Sequence, residues 1–474
     1  MYDVIIIGAG VIGASIAREL SRYKLKVLVL EKENDVGEGA SSANSAIIHS
    51  GYDPKPGTLK AKLNVEGNKM FDEICRDLDI EIRRIGSITL ACNDEEVEIL
   101  KHLVERSKTN GVDVELLNHD ELKEIEPNIT NDVKMGLLAK SAGIINPFEY
   151  VVANMENAID NGVTLHLSEK VIGITRESNC YKVKTVNATY DTKYVINASG
   201  VYSDKVNEMV NPQSFVIRPR RGEYYVLDHF DNNYIKHVLF NVPTKKGKGV
   251  LVSPTTHYNY LVGPSSEFVD APDDVSTDKE TLDVVKIQAT RLVDKIRYDQ
   301  QIRVFAGNRA VGDRGDFIIE ETSPFFINVA AIESPGFASS PAIAKMVSSM
   351  IKDKEPNPSF NPKRRPLIRL NEKPFEVRQT LIKENEKLGK IVCRCEKVSE
   401  GEIVDVINRS CGATTVKGVK KRVRPGFGKC QGGFCESLVL KILSRELKTK
   451  IEDIPYGKVN SYILEGKTKG EGND

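Results

Sequence analysis

Three groups of residues have types and spacings that could do chemistry. Gly8-Ala9-Gly10-Val11-Ile12-Gly13 follows an apolar run and opens an amphipathic stretch. This spacing suits a dinucleotide: Gly8 allows a tight turn, Gly10 lets a pyrophosphate approach the backbone, and Gly13 lets helix and strand pack closely. The helix end beyond it offers free N–H groups and a partial positive charge to the phosphates. Glu31, eighteen residues past Gly13, can accept hydrogen bonds from a ribose diol. Near the other end, Cys393-Arg394-Cys395 and, thirty-four residues later, Cys430-Gln431-Gly432-Gly433-Phe434-Cys435 set out four thiols in two close pairs. Four thiolates suit zinc or an iron–sulfur cluster, although zinc pairs more often have two residues between them. The third group consists of a histidine and two runs of arginine. His49 is a candidate proton acceptor, since an imidazole titrates near neutrality. Arg218-Pro219-Arg220-Arg221 and Arg303-Val304-Phe305-Ala306-Gly307-Asn308-Arg309 offer planar cations to an anionic substrate.

These side chains need elements to hold them. Val4-Ile5-Ile6-Ile7 reads as a strand buried on both faces, followed by a helix through Arg22 and a second apolar strand, Lys26 to Leu30. That is one βαβ unit of about thirty residues. Tyr194 to Gly200 reads as a further buried strand running into a small-residue turn. Phe326 to Ile332 reads as another, followed by Glu333-Ser334-Pro335-Gly336-Phe337 and a helix. This second helix N-terminus would face an electron-rich group, as a reduced flavin ring is near N1 and O2. Alternating stretches between 216 and 305 predict an antiparallel sheet, and 94–126 reads as helical. Lys245, Lys246 and Lys248 read as a solvated hairpin. The expected organisation is α/β over 1–80, 140–215 and 305–355, with an interleaved α+β substrate domain at 81–139 and 216–304. A proline-rich linker at 356–388, a small cysteine domain at 389–450 and a tail at 451–474 complete it.

The composition narrows the function classes. The 474 residues are 40% hydrophobic and 28% charged, with 67 basic and 67 acidic side chains. Zero net charge argues against a dedicated nucleic-acid binder, and no apolar run is long enough to span a bilayer. The start, Met1-Tyr2-Asp3, has no basic n-region, so no secretory signal is expected and the location reads as cytoplasmic. Clustered cytosolic cysteines more often hold metal than form disulfides. Cys75, Cys92, Cys180 and Cys411 stand apart from the two pairs and read as packing residues.

Together with Gly39-Ala40-Ser41-Ser42-Ala43-Asn44-Ser45-Ala46-Ile47-Ile48-His49-Ser50-Gly51, these elements resemble the FAD-dependent oxidoreductases of the D-amino-acid oxidase/glycine oxidase superfamily. Within it the glycerol-3-phosphate dehydrogenases look closest and the L-2-hydroxyglutarate dehydrogenases almost as close. The resemblance implies a Rossmann-like FAD domain and FAD as the dinucleotide. It adds Val11, Ile12 and Lys32 to the first contact, then Ser41, Ser42, Asn44 and Ser45 along the loop. Further contacts would be Val171, Ala198 and Gly200, and then Gly336, Phe337, Ala338 and Ser339 at the last helix. It also implies that His49 is the active-site base and that Arg309 binds the substrate's carboxylate or phosphate; Arg221, where the arginine run enters the substrate sheet, reads as a second arginine lining the cavity. The cysteine region resembles the bacterioferritin-associated ferredoxin-like domain, which implies a 2Fe–2S cluster on Cys393, Cys395, Cys430 and Cys435. The expected activity is oxidation of sn-glycerol 3-phosphate, with electrons leaving through the cluster to an accepting protein subunit that could bring the enzyme to a membrane surface. The alternatives are a 2-hydroxy acid such as L-2-hydroxyglutarate, an amino or imino acid, or a pure electron-transfer subunit.

Overall fold

The computed structural model describes residues 1–243 and 249–466. Lys245, Lys246, Lys248 and the chain beyond Gly466 therefore lie outside the described residues. The strand Tyr2–Ile7 runs parallel between Val27–Leu30 and Thr189–Asn197. Val4, Ile5 and Ile6 have no exposed surface, as expected of a strand covered on both faces. Thr164–His166 extends this parallel core on one side, and Phe326–Ala330 pairs with the end of Thr189–Asn197 on the other. Antiparallel strands complete an eight-stranded sheet.

The helices Val11–Leu20, Leu59–Leu78, Pro147–Asp160 and Gly336–Met350 pack over the sheet around Leu20, Phe71, Tyr150 and Val347. Two of them cross so closely at Gly67 that a Cβ there would overlap the Ala338 carbonyl oxygen. This crossing fixes the start of Gly336–Met350 against the rest of the layer.

A second sheet of nine strands stands beside the first. Its spine is the long antiparallel pair Ile217–Leu227 and Gln301–Gly312. The sheet expected over 216–304 is present, and the segment before residue 140 supplies three more of its strands. The strand Ser87–Ala91 joins parallel to Val238–Asn241. Residues 94–126 are not helical throughout. Helix Asp94–Asn110 stops at Gly111, which takes φ +71°, and the strand Glu115–Asn118 intervenes before helix His119–Ile125.

The C-terminal region has its own core around Ile403, Val419, Val439 and Leu443, built on helices Glu400–Ile407, Val416–Val423 and Glu436–Leu447. Ile454, in the expected tail, and Leu367, in the expected linker, both enter that core. The linker is a packed strap carrying a helix, Phe375–Glu384. Arg364 bonds the buried Glu156 at 3.0 and 3.1 Å, and Arg369 pairs with Asp79 and Glu149. Glu149 and Glu156 lie on the buried face of Pro147–Asp160, where an uncompensated carboxylate would be costly, so the strap is held down by its cations.

The C-terminal domain docks through buried ion pairs. Arg422 grips both oxygens of Asp35 at 2.8 Å, Arg409 reaches Glu156 at 2.7 Å, and Lys421 pairs with Glu38. Burial alone would raise the Asp35 carboxyl, but Arg422 and then Lys421 outweigh it and hold the group below its ordinary value. A depressed carboxyl contributes stability above its unfolded pKa and loses it as the pH falls further. Docking should therefore hold at pH 5 and weaken below about pH 4. Arg422→Met strands Asp35 in the interface and should cost about 3–5 kcal/mol in urea unfolding at neutral pH. Unchanged stability would show that the pair does not hold the domains together.

Candidate functional site

One cavity of about 1780 Å³ runs from the end of the first strand to the second sheet. At its first end Gly8 takes φ +104°, and a Cβ there would stand 2.6 Å from the Ala198 carbonyl oxygen. A Cβ at Gly13 would overlap the Gly8 carbonyl oxygen, so the fingerprint glycines let strand, helix and turn touch. Gly10 lines the cavity at the start of Val11–Leu20, whose first turn carries no acidic residue. Ser41 Oγ accepts from the Val11 N–H at 2.8 Å. The Glu31 carboxylate is buried and accepts from Ala9 N–H at 2.7 Å and Glu33 N–H at 3.0 Å. Burial raises its carboxyl above the ordinary value, and the two amides partly offset this.

Val11, Ile12, Lys32, Ser42, Asn44, Ser45, Val171, Ala198 and Gly200 also line the cavity, as do Gly336 and Phe337. Lys32 Nζ lies 4.4 Å over the Tyr202 ring and 3.3 Å from Asp273. Two residues of the expected set are placed differently. Ala338 and Ser339 are fully buried and do not line the cavity: Ala338 abuts Gly67, and Ser339 Oγ donates to the Pro335 carbonyl.

At the far end of the cavity, His49 follows the short strand Ile47–Ile48, with its ring 5.9 Å from that of Phe240. The side-chain amides of Asn64 and Asn68 both donate to its backbone carbonyl, at 2.6 and 3.0 Å, and so fix the loop. Arg309 lines the same cavity and donates from Nη2 to the Ser265 carbonyl at 2.9 Å. Burial pulls its guanidinium below the ordinary value, and the neighbouring Tyr224 partly restores it. The Tyr224 hydroxyl meets Ser45 Oγ at 3.0 Å, and its ring stacks on Phe305 at 4.7 Å. A side chain at Gly222 would strike Arg309 Nη2, so glycine leaves the room that arginine uses.

Arg221 does not line the cavity. Side chains alternate along Ile217–Leu227, and Arg221 points to the other face. There it contacts Glu223 at 3.2 Å, Asp274 at 3.0 Å and Asp278 at 3.1 Å. Arg220 takes the cavity face instead, bound with Lys60 to the Glu333 carboxylate at 2.7 and 2.8 Å. The parity shared by Arg220 and Tyr224 is the sequence signal that could have found it. His257, in the turn after Leu251–Pro254, also lines the cavity. Burial first, then Arg424, Arg369 and Arg83, push its imidazole down to about 2, so it is neutral.

The C-terminal domain closes one wall of the cavity with Lys417, Lys420, Arg424, Phe427 and Gln431. The Phe427 ring lies 5.7 Å from Phe148, another lining residue, and 4.9 Å from each of Lys420 and Arg424. Phe427 and Gln431 belong to the loop that carries Cys430. The four thiols stand as two pairs: Cys395 and Cys430 are 3.7 Å apart, and Cys393 is hydrogen-bonded to Cys435. Two close pairs of thiols suit a two-iron cluster held by four thiolates. Gly426 and Gly432, at φ +87° and +98°, shape the loop on either side of Cys430. Gly428 passes so near Cys395 that a Cβ would overlap that of the cysteine. Cys411 stands outside the set, buried with its sulfur 3.8 Å from Arg422.

A parallel βαβ unit with a phosphate-ready helix end, opening into a cavity walled by a four-cysteine domain, defines a flavin-type oxidoreductase with an iron–sulfur relay. The chain belongs to the FAD dependent oxidoreductase family, whose pattern matches residues 3–350, and residues 391–445 match the BFD-like [2Fe-2S] binding domain. FAD and a 2Fe–2S cluster are its cofactors. It is 48% identical to the glycerol 3-phosphate dehydrogenase of Caloramator mitchellensis over 99% of this chain and all of that protein. It is 34% identical to the glycerol 3-phosphate oxidase of Mycoplasma genitalium, over 76% of this chain and 98% of that one. Among solved structures it resembles the dithionite-reduced, FAD-bound L-alpha-glycerophosphate oxidase of Mycoplasma pneumoniae, with TM-score 0.74 and 30% identity over 77% of this chain and 98% of the other.

If the first helix end holds the pyrophosphate, Gly10→Val, whose side chain would crowd Ser41, should yield protein without yellow colour. Normal flavin content in that variant would contradict the placement. Cys395→Ser or Cys430→Ser should remove about two irons per chain, while Cys411→Ser keeps them. Elemental analysis of anaerobically purified protein decides, and zinc in place of iron would contradict the assignment.

Proposed function

We propose that this protein oxidises sn-glycerol 3-phosphate to dihydroxyacetone phosphate and passes the electrons to an accepting protein. The observation that carries the reading is the half-buried Arg309 guanidinium facing the same cavity as His49, in a chain 48% identical throughout to a glycerol 3-phosphate dehydrogenase. A phosphate ester is an anion that a planar, partly desolvated guanidinium binds well. His49 takes the proton of the substrate's secondary hydroxyl, leaving the carbinol carbon free to lose hydride. FAD, when bound, accepts that hydride, and the cluster, when bound, supplies one-electron transfer onward. Gly8, Gly10 and the Val11–Leu20 helix end hold the pyrophosphate, Glu31 holds the ribose, and Ser41 to Ser45 and Gly336–Phe337 border the ring. Arg220 and Lys60, joined through Glu333, keep the cavity wall cationic without placing another free charge beside Arg309.

The cluster domain favours a dehydrogenase over an oxidase, since the Mycoplasma genitalium oxidase is covered to 98% of its length by 76% of this chain. The enzyme would act in the cytoplasm and meet a membrane only through its partner, consistent with no helix among the described residues being long and apolar enough to cross one. A 2-hydroxy acid is the second reading: the chain is 32% identical to Escherichia coli L-2-hydroxyglutarate dehydrogenase, but over only 51% of its length.

His49→Asn should keep FAD and slow anaerobic flavin reduction by roughly 10²–10⁴-fold. Arg309→Lys keeps a charge but loses the fork, so its main effect should be a raised half-saturation for substrate rather than a slower limiting rate. Stopped-flow bleaching with glycerol 3-phosphate at several concentrations separates the two. Reduction of His49→Asn at the parental rate would place the base elsewhere. Bleaching by 2-hydroxyglutarate but not by glycerol 3-phosphate would overturn the substrate.

A further inference from the structure

The cluster domain has a second face, directed away from the flavin cavity. Cys393 and Cys435 are buried, Cys430 is half-buried and Cys395 is exposed, so the solvent edge of the cysteine set lies at Cys395 and Cys430. The sequence around that edge is basic. Arg394 separates the first cysteine pair, Lys397 follows it and Lys429 precedes Cys430. All three are exposed, as is Lys441 one turn beyond Leu438 on Glu436–Leu447. None of these four cations has a carboxylate within 4 Å among the described residues.

Three neighbouring acids are committed elsewhere, Glu396 to Arg424 and Glu400 and Glu446 to Arg445, each at 2.8 Å. The Glu436 carboxylate lies against Gly426 and Gly432 inside the cysteine loop. Phe434, next to Cys435, is 82% exposed, and Leu438 is 43% exposed. The chain as a whole carries no net charge, so this positive field belongs to the face. Exposed apolar side chains and unpaired cations beside the same cysteine edge suit an electrostatically steered docking surface.

We propose that this face docks an acidic one-electron carrier protein, which lays its carboxylates on Arg394, Lys397, Lys429 and Lys441 and packs on Phe434. The proposal rests on the reading that electrons leave through the cluster. Oxidation of one substrate alcohol delivers two electrons and releases two protons overall, one from the hydroxyl and one as the reduced flavin is reoxidised. Each carrier takes one electron, so two dock in turn per substrate. The basic residues contribute mainly to encounter rate, and Phe434 to the lifetime of the complex.

The test uses the full-length holoenzyme, reduced anaerobically by dithionite so that it does not depend on the substrate. Rubredoxin serves as a small acidic acceptor, horse cytochrome c as a basic one, and dichlorophenolindophenol as a dye that needs no docking face. The second-order rate with rubredoxin should fall roughly tenfold or more between low salt and about 0.3 M salt, while the dye rate stays flat. Lys429→Glu and Lys441→Glu should each lower the rubredoxin rate several-fold at low salt while leaving iron content and dye rate unchanged. Phe434→Ser should weaken docking at every salt concentration. If Lys429→Glu loses iron, Lys441→Glu and the salt profile of the parent still decide. Salt-independent rubredoxin reduction, or faster reduction of cytochrome c at low salt, would overturn the proposal. So would sedimentation with anionic phospholipid vesicles that Lys429→Glu abolishes while rubredoxin reduction is unaltered, since the face would then be a membrane contact. Failure of glycerol 3-phosphate to bleach the flavin would overturn the substrate reading and leave this one intact.

Discussion

The bidentate pair of Arg422 with Asp35 fixes where the cluster domain sits, and much of the site's geometry follows from it. Asp35 and Glu38 belong to the loop between Glu31 and Ser41, both of which line the cavity. A buried carboxylate tolerates burial only with a matched cation, so this loop is ordered by residues almost four hundred positions away. Arg409, which reaches Glu156, ties the same domain to the Pro147–Asp160 helix, whose first turn carries the lining residue Phe148. Two separate carboxylate anchors leave a docked domain little freedom to slide. That matters for electron transfer, because Phe427 and Gln431 enter the cavity wall from the loop that carries Cys430.

Charge is divided between the two ends of the cavity. Beside Gly8 and Gly10 a helix terminus adds a positive element, and the buried Glu31 carboxylate is satisfied by backbone amides. Toward His49 the cations are side chains. Arg220 and Lys60 are joined through Glu333, and among the described residues Arg309 is bonded to carbonyl and hydroxyl groups. A guanidinium without a carboxylate partner keeps its affinity for an incoming anion. His257 adds no charge, because burial and three arginines keep it neutral.

Local sterics were legible in the sequence. Gly13 is constrained within its own βαβ unit, by the Gly8 carbonyl, although Gly8 and Gly10 meet the more distant Ala198 and Ser41, and the spacing of the four cysteines sets two pairs within one small domain. What depended on register or on distant partners was not. Arg221 and Arg220 differ by one position, and only the pairing of Ile217–Leu227 with Gln301–Gly312 decides which of them meets Arg309. The strap over 356–388 reads as a linker because its arginines look solvated. Their buried partners, Glu149 and Glu156, lie on a helix some two hundred residues earlier, and nothing local marks those acids as buried. Ala338 and Ser339 follow the cavity-lining turn at Gly336 and Phe337 but are carried into the core by the close crossing at Gly67.

Wiring of the substrate cavity to the cluster is tested most directly by anaerobic titration with sn-glycerol 3-phosphate, following flavin absorbance and the paramagnetic signal of the reduced cluster in one sample. The account predicts that substrate bleaches the flavin and that the cluster signal grows with it in the parent but is absent after Cys430→Ser, whose flavin still bleaches. A flavin that bleaches while the cluster of the parent stays oxidised and dithionite-reducible would contradict it.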